Sequence, residues 1–173
     1  SWIICDKEGY NKIDPRYANY SYKIVCGDGE FVWVNKDGWM YHPKNQLLRD
    51  SISEFIKAVN EKPSDKYLLL ALGNTLTLRN STSAAQGYYE KLLDLLDLER
   101  NQSGVLRPQT NNVDGDLVEL YMKAANNLGV VLSLRAKQTG NGNLLPQAMA
   151  NFEESIRAFD ALTRNQDTMI RID

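Results

Sequence analysis

A spacing of small and large apolar residues recurs at three places along this chain, and it constrains the fold more than any other feature. In the clearest copy, two small residues, Gly73 and Ala85, stand among larger apolar side chains. These larger residues are Leu69, Leu72, Leu76 and Tyr89. The small residues let two antiparallel helices approach closely, and the large ones supply apolar surface that one hairpin cannot bury alone. The spacing therefore predicts helical hairpins that stack on their neighbours.

The other two copies keep the same register. Upstream, Ser51, Phe55 and Ala58 match the second helix of a preceding hairpin, and Pro63 follows at the expected junction. Downstream, a first helix and a second helix are both matched, by Ala125, Leu128, Gly129, Leu132, Ala148, Phe152 and Ser155. Together the three copies resemble the tetratricopeptide repeat (TPR) family, whose repeats carry a large-x-x-Leu-Gly-x-x-aromatic and an Ala-x-x-x-aromatic pattern.

The resemblance covers about residues 47–163, and only the middle repeat is uninterrupted. Gly129 and Ala148 are 19 residues apart where Gly73 and Ala85 are 12 apart, which predicts a longer interhelical turn around residues 138–142. From Gly73 to Gly129 there are 56 residues instead of the family period of about 34, which predicts an insertion around residues 101–114. An ordinary helical bundle that contains these residues by chance is the alternative.

Five helices are predicted after residue 44, because apolar residues recur there at three- and four-residue steps. Ser64 and Ser83 suit helix N-termini, and Asp116 with Glu119 forms a capping-box-like pair. The predicted helices are 45–61, 64–79, 83–99, 116–138 and 143–163. The resemblance implies a mainly α fold of TPR-like antiparallel helical hairpins, an α-solenoid of about two and a half repeats over residues 45–163. Residues 164–173 form a tail that loses the periodicity and is expected to fray.

Residues 1–44 have strand character instead. Runs of β-branched and aromatic residues alternate with Gly- and Asp-containing turns, which predicts a β-meander. The predicted strands are Tyr22–Cys26, Phe31–Val34 and Trp39–Tyr41, with Trp2–Cys5 as a further one. This β-meander appendage stands where the first helix of the leading repeat belongs. It either caps the face that the missing helix leaves uncovered or is an insertion within a repeat.

Charge and hydropathy exclude two classes of partner. The chain has 20 Lys and Arg against 22 Asp and Glu, a net charge of -2, and no basic cluster, so we expect no nucleic-acid partner. The longest apolar stretch, residues 67–72, is far shorter than the roughly 20 residues that span a bilayer, so we expect no direct membrane insertion. Because Ser1 is not an initiator Met, we interpret the chain as a soluble cytoplasmic or periplasmic fragment of a longer protein.

Catalytic and metal-binding patterns are sparse. His42 has no second His and no Cys at ligand spacing, so we expect no metal site and no cofactor. No nucleophile elbow, phosphate-binding loop or dinucleotide fingerprint occurs, and the chain is predicted not to be an enzyme. Cys5 and Cys26 both lie in strand-like runs, where they form either a disulfide or two buried free thiols.

The TPR resemblance implies a binding groove, because first helices line the concave side of such arrays. We therefore expect a scaffold that binds another protein or a peptide through a mixture of apolar anchors and amides. The groove residues implied are Tyr67, Leu70, Asn74, Leu78, Lys123, Asn126, Asn127, Val130 and Leu134. Asn74 and Asn127 match two amides of the two-carboxylate clamp, but Leu70 replaces an expected Lys. Recognition of an acidic carboxyl terminus is therefore not implied.

A competing hypothesis places the function in the aromatic-rich meander. Alternation along its second strand puts Phe31 and Trp33 on one face and Val32 and Val34 on the other. If one face stays exposed, the chain is a structural subunit that self-associates or joins neighbours in a larger assembly. The abundance of Asn, Lys and Ile suggests bacteria, where periplasmic TPR scaffolds such as those of spirochaete flagellar collars have this kind of role.

Overall fold

A computed structural model of the chain describes residues 20–29, 31–35, 37–41, 48–103 and 115–170. In this part of the chain the protein is mainly helical, with one small antiparallel sheet, as the sequence predicts. The strands are β1 (Tyr20–Val25), β2 (Phe31–Asn35) and β3 (Met40–Tyr41). The helices are α1 (Leu48–Glu61), α2 (Lys66–Leu78), α3 (Thr82–Ser103), α4 (Gly115–Thr139) and α5 (Leu144–Ile170).

The chain divides into two compact units, residues 1–81 and residues 82–173. This division falls between α2 and α3, the two helices of the clearest predicted repeat. The two units are defined by how densely their residues contact one another, whereas the predicted boundaries 1–44, 45–163 and 164–173 were drawn from changes in the sequence pattern. Those boundaries therefore stay predictions.

The sheet of the first unit is a meander with strand order β1-β2-β3. Ile24 pairs with Val32 across the first hairpin, and Val34 pairs with Met40 across the second. Its turns depend on glycines with positive φ, Gly29 at 84° and Gly38 at 86°, a conformation that other residues adopt at a cost. Both hairpins are therefore specified locally, as their turn sequences predict.

An asparagine shapes the second of these turns. The side-chain oxygen of Asn35 accepts hydrogen bonds from the backbone N–H groups of Asp37 and Trp39, at 3.1 and 2.9 Å. Such bonds to the backbone a few residues further on are the usual way in which Asn stabilises a turn. Asn35 itself is buried, so its oxygen needs these donors.

Helices α1 and α2 pack on this sheet. Helix α1 buries Phe55, Ala58 and Val59 on one side. Helix α2 is buried almost all round, from Leu68 to Gly73. A hydrogen bond and a salt bridge also connect the first hairpin to α1. The N–H of Gly27 donates to Glu61 Oε1 at 3.0 Å, and Lys57 Nζ lies 3.1 Å from Asp28 Oδ2. The sheet thus contacts the helix that the capping interpretation requires it to cover.

The ends of α2 are capped by polar groups. Asp65 accepts a hydrogen bond from the N–H of Leu68 at 2.9 Å, so the cap lies one residue after the predicted Ser64. At the other end, Asn80 has a φ of 61° and the N–H of Ser81 donates to Leu76 O at 2.9 Å, which ends the helix.

The second unit consists of three consecutive antiparallel helices, with α4 packed against both α3 and α5. The start of α3 meets the end of α4, where Thr82 Oγ1 donates to Gln138 Oε1 at 2.8 Å. The turn into α5 begins at Gly140, whose φ is 69°. Near the middle of α5, Ser155 Oγ donates to Met122 O at 2.8 Å.

Two features of the helix ends differ from the sequence prediction. The predicted longer turn around residues 138–142 is wrong, because only residues 140–143 connect α4 and α5 and the extra residues between Gly129 and Ala148 belong to these helices. Helix α5 also continues past the predicted end at residue 163 to Ile170, because residues 164–170 contain no Gly or Pro that would end it. Helix α3 reaches Ser103, and the rest of the predicted insertion lies outside the described residues.

Of the two cysteines and the histidine considered in the sequence, only Cys26 lies within the described residues. Cys26 is buried and carries a free thiol. Cys5, the predicted strand Trp2–Cys5 and His42 lie outside the described residues.

Candidate functional site

The predicted groove residues of α2 are largely covered within the first unit. Leu70 has no exposed surface, and Asn74 Nδ2 donates to the carbonyl oxygen of Gly38 at 2.8 Å. A Cβ atom on Gly38 would lie 2.8 Å from Leu70 Cδ2, so the β2–β3 turn sits directly on this side of the helix. Tyr67 is half-buried, and Leu78 is exposed at the end of the helix. Leu70 is therefore a packing residue of the first unit, and the half-buried Asn74 uses its amide to hold the β2–β3 turn.

The predicted groove residues of α4 lie on a more open side of the second unit. Asn126 and Val130 are exposed, while Lys123, Asn127 and Leu134 are half-buried. Lys123 Nζ lies 3.0 Å from Glu119 Oε1, and Asn126 donates to Asn127 Oδ1 at 3.3 Å. At about 100° per residue these five positions occupy one side of α4, away from the residues that meet α3 and α5. The α2 and α4 residues belong to different compact units.

A line of exposed apolar side chains runs along α5, and the sequence interpretation did not single it out. Its members are Leu145, Met149, Ile156 and Phe159, with exposed fractions of 48, 62, 61 and 51%. Phe152, half-buried, lies in the middle of the same line. The steps between successive members are four, three, four and three residues, the heptad spacing of a helix that packs lengthwise on another. These five residues are called the α5 stripe, which is about 21 Å long.

The α5 stripe is distinct from the side of α5 that packs on α4. That packed side is made of small residues, Ala148, Ser155 and Ala158, which are all buried. At about 100° per residue it lies roughly a quarter of a turn from the stripe. Helix α5 thus has two apolar lines, and only one of them is covered by α4.

Phe152 connects the α5 stripe to the open side of α4. Its ring packs on Gly129, where a Cβ atom would lie 2.7 Å from Phe152 Cε1. Helices α4 and α5 also contact each other on the side opposite to Phe152. There the hydroxyl of Tyr121 donates to Glu154 Oε2 at 3.2 Å. Asn126 and Val130 flank Gly129 on α4, so they lie on the same side as the stripe. The two helices together form one continuous surface of mixed apolar and amide character.

Acidic residues border the α5 stripe on the edge that lies away from α4, which is called its outer edge. Glu153 and Asp160 each directly follow a stripe residue and are exposed. Arg157 lies further round the helix, and its guanidinium is paired with Glu154 on the side away from the stripe. The charges closest to the stripe on that edge are therefore negative.

Shifted pKa values occur where the sheet meets α1. Burial raises the pKa of the Cys26 thiol, and the nearby carboxylates of Asp28, Glu61 and Glu54 raise it further. Hydrogen bonds to Asp28 and Glu54 raise the pKa of Lys57. Because Lys57 connects a strand turn to a helix, we interpret these shifts as consequences of packing.

The described residues contain neither a metal-binding cluster nor a membrane-spanning helix. Nowhere in these ranges do three or more His, Cys, Asp or Glu side chains gather in a way that would hold a metal ion. None of the described helices combines the length and hydrophobicity needed to cross a membrane.

Comparisons of the chain with protein-family models, with curated proteins and with solved structures each find no match. The resemblance to tetratricopeptide repeats therefore rests on the residues of this chain alone.

Proposed function

We propose that this protein is a non-catalytic interaction module that binds a partner protein or peptide on the second unit. The binding surface consists of the α5 stripe and the open side of α4. The observation that carries the proposal is the α5 stripe itself, because four large apolar side chains stand in water along one helix whose other apolar side is already packed. Contiguous exposed apolar surface of this kind typically marks a binding site.

A TPR-like arrangement of the second unit agrees with this role. In a TPR array, a first helix packs between the preceding and the following second helices, and α4 has this position between α3 and α5. The small-residue crossing that the motif requires is supplied by Gly129 against Phe152. The helices are longer than a repeat of about 34 residues allows, since α4 and α5 with their turn span residues 115–170. We infer TPR-like hairpins with lengthened helices.

The test places charge on the α5 stripe. Wild-type protein and a Met149→Glu, Ile156→Glu variant are immobilised, and the proteins retained from a lysate of the source organism are identified. The matched control is Gln147→Glu, Ala150→Glu, which adds two charges to exposed positions of the same helix outside the stripe.

We expect a partner that the wild type and the control both retain and that the stripe variant loses while its helical circular dichroism is unchanged. Equal retention of the same proteins by all three forms would contradict the proposal. All four substituted positions are exposed and lie outside the buried side of α5 that packs on α4, so a loss confined to the stripe variant reports on the surface.

A second candidate is a structural subunit that associates through the meander. One observation favours it: Trp39, at the β2–β3 turn, is exposed. Trp33, in contrast, is buried and cannot contribute to such a patch. In this case wild-type protein would self-associate in sedimentation velocity runs at micromolar concentration, and Trp39→Ser would abolish the association while the stripe variant would not.

A further inference from the structure

We propose that the occupant of the α5 stripe is an amphipathic helix of a different protein, with Lys or Arg beside its apolar face. This inference rests on the proposed function and specifies the chemistry of the partner. Three features of α5 carry it: the spacing of the stripe, the sign of the charges beside it, and the charges that a second copy of the chain would bring.

The spacing of the stripe favours a helical occupant. Side chains at alternating four- and three-residue steps form the seam into which the side chains of a second helix fit. An extended peptide repeats every two residues and needs backbone hydrogen-bond partners, which the side-chain surface of a helix does not provide. A helix satisfies its own backbone groups, and about 14 residues of it match the 21 Å length of the stripe.

The charges beside the stripe favour a basic occupant. Glu153 and Asp160 are seven residues apart, so they occupy the same position in successive heptads, directly next to the apolar seam. Charges in that position contact the flanking residues of a partner helix and decide which partner is accepted. A partner with Lys or Arg at matching positions places opposite charges together at Glu153 and Asp160, beside the second half of the stripe.

A second copy of the chain is a poor occupant for the same reason. If two α5 helices pair antiparallel with their stripes aligned, the same edge of each helix meets that of the other, so Glu153 faces its own counterpart and Asp160 faces the uncharged Pro146 of the copy. If they pair in parallel, this edge meets the opposite edge of the copy, which is formed by Ala148 and Ser155 and is already packed on α4. Neither arrangement places a cation directly opposite Glu153 or Asp160, so a heterologous partner satisfies this edge better than a second copy does.

The test uses two synthetic helical peptides of about 21 residues. Both carry Leu and Ile at the heptad seam positions, and they differ only at the flanking positions, which are Lys in the basic peptide and Glu in the acidic one. Binding of each peptide to the full chain is measured by fluorescence anisotropy at low and at moderate ionic strength.

Charge reversal at the acidic edge provides the matched comparison. The variant Glu153→Lys, Asp160→Lys is compared with Asp94→Lys, Asp97→Lys, which makes the same change at exposed positions of α3. We expect the wild type and the α3 control to bind the basic peptide about five- to tenfold more tightly than the acidic one at low ionic strength. The α5 reversal should invert this preference, and added salt should weaken the preference in every form.

The outcomes separate this inference from the proposed function. If both peptides bind equally well, charge reversal has no effect, and Met149→Glu, Ile156→Glu abolishes binding, the stripe is a binding site but its preference for a basic helix is overturned. If wild-type protein instead forms a dimer that the stripe variant dissociates, a second copy is the occupant and the inference fails. If neither peptide binds and lysate partners are retained equally by the stripe variant, the proposed function itself fails.

Discussion

Gly129 shows how a single residue sets the distance between two helices. A Cβ atom there would lie 2.7 to 2.9 Å from three carbon atoms of the Phe152 ring, so Gly129→Ala must displace the ring. Overpacking of this kind costs about 1–3 kcal/mol, while Ala in place of Gly within a helix gains up to about 1 kcal/mol. We expect a net loss of about 1 kcal/mol in the free energy of unfolding, measured by urea denaturation.

Gly87 is the matched control for that substitution. It also lies within a helix of the second unit, but a Cβ atom there would meet nothing within 4 Å. Gly87→Ala should therefore stabilise the protein by about 0.5–1 kcal/mol. Equal effects of the two substitutions would show that the α4–α5 crossing does not depend on close approach at Gly129.

Asn74 and Asn126 are two predicted groove amides that differ in their contacts and exposure. Asn74 donates to Gly38 O across the contact between the β2–β3 turn and α2, whereas Asn126 is exposed on α4. We expect Asn74→Ala to lower the free energy of unfolding by about 1 kcal/mol because the carbonyl of Gly38 loses its donor. Asn126→Ala should change it by less than about 0.5 kcal/mol. A stability loss of the same size in both variants, measured by thermal denaturation, would argue against this assignment.

The thiol of Cys26 should be unreactive in the folded protein. Its pKa is raised by burial and by neighbouring carboxylates, and the thiolate is the form that alkylating reagents attack. In a Cys5→Ser background, iodoacetamide should modify Cys26 several-fold more slowly in the folded protein than in the protein unfolded in urea.

Because the pKa of Cys26 is higher in the folded protein than in the unfolded one, this thiol's contribution to the free energy of unfolding is complete below the ordinary thiol pKa of about 8.5 and is lost as the pH rises above it. Fast alkylation of the folded protein at pH 8 would contradict the burial of this thiol.

At the scale of the elements, sequence patterns locate the helices well and their ends less well. The strand and helix segments follow from β-branched runs, glycine turns and three- to four-residue apolar steps, all of which act locally. At the α4–α5 turn the observed ends lie within one residue of the predicted ones, whereas α3 and α5 end later than predicted, α5 because nothing in residues 164–170 ends it. Helix ends depend on breakers and caps that a few residues decide, so periodicity alone leaves them open.

The proposed binding surface is harder to predict than the helices for a related reason. Helix α5 carries two apolar lines, and its sequence does not say which one α4 covers. Ala148, Phe152 and Ser155 all match the second-helix pattern; Ala148 and Ser155 are buried, whereas Phe152 belongs to the stripe, whose sequence is equally typical of a core. In α2, the residue pattern does not predict that the β2–β3 turn covers Leu70 and Asn74. This turn contains Gly38, which lies 36 residues before Asn74. Contacts between segments far apart in sequence decide exposure, and a repeat motif does not encode them.

At the scale of the whole molecule, the division into two compact units predicts that the second unit folds without the first. The second unit has an apolar core of its own, in which Leu92, Leu120 and Leu132 are buried within three antiparallel helices. A fragment of residues 82–173 is large enough to bury a core, although a chain of this size is only marginally stable. We expect this fragment to be helical by circular dichroism and to unfold cooperatively in urea.

The same fragment also relates the fold to the proposed function, because every residue of the α5 stripe and of the open side of α4 lies within it. If the second unit alone forms the binding surface, the fragment should bind the basic helical peptide with an affinity within about threefold of the full chain, since no contact of the surface has been removed. The full chain carrying Met149→Glu and Ile156→Glu serves as the non-binding reference. A fragment that is folded but binds no better than this reference would show that residues 1–81 contribute directly to recognition, and the binding surface would then have to be extended beyond α4 and α5.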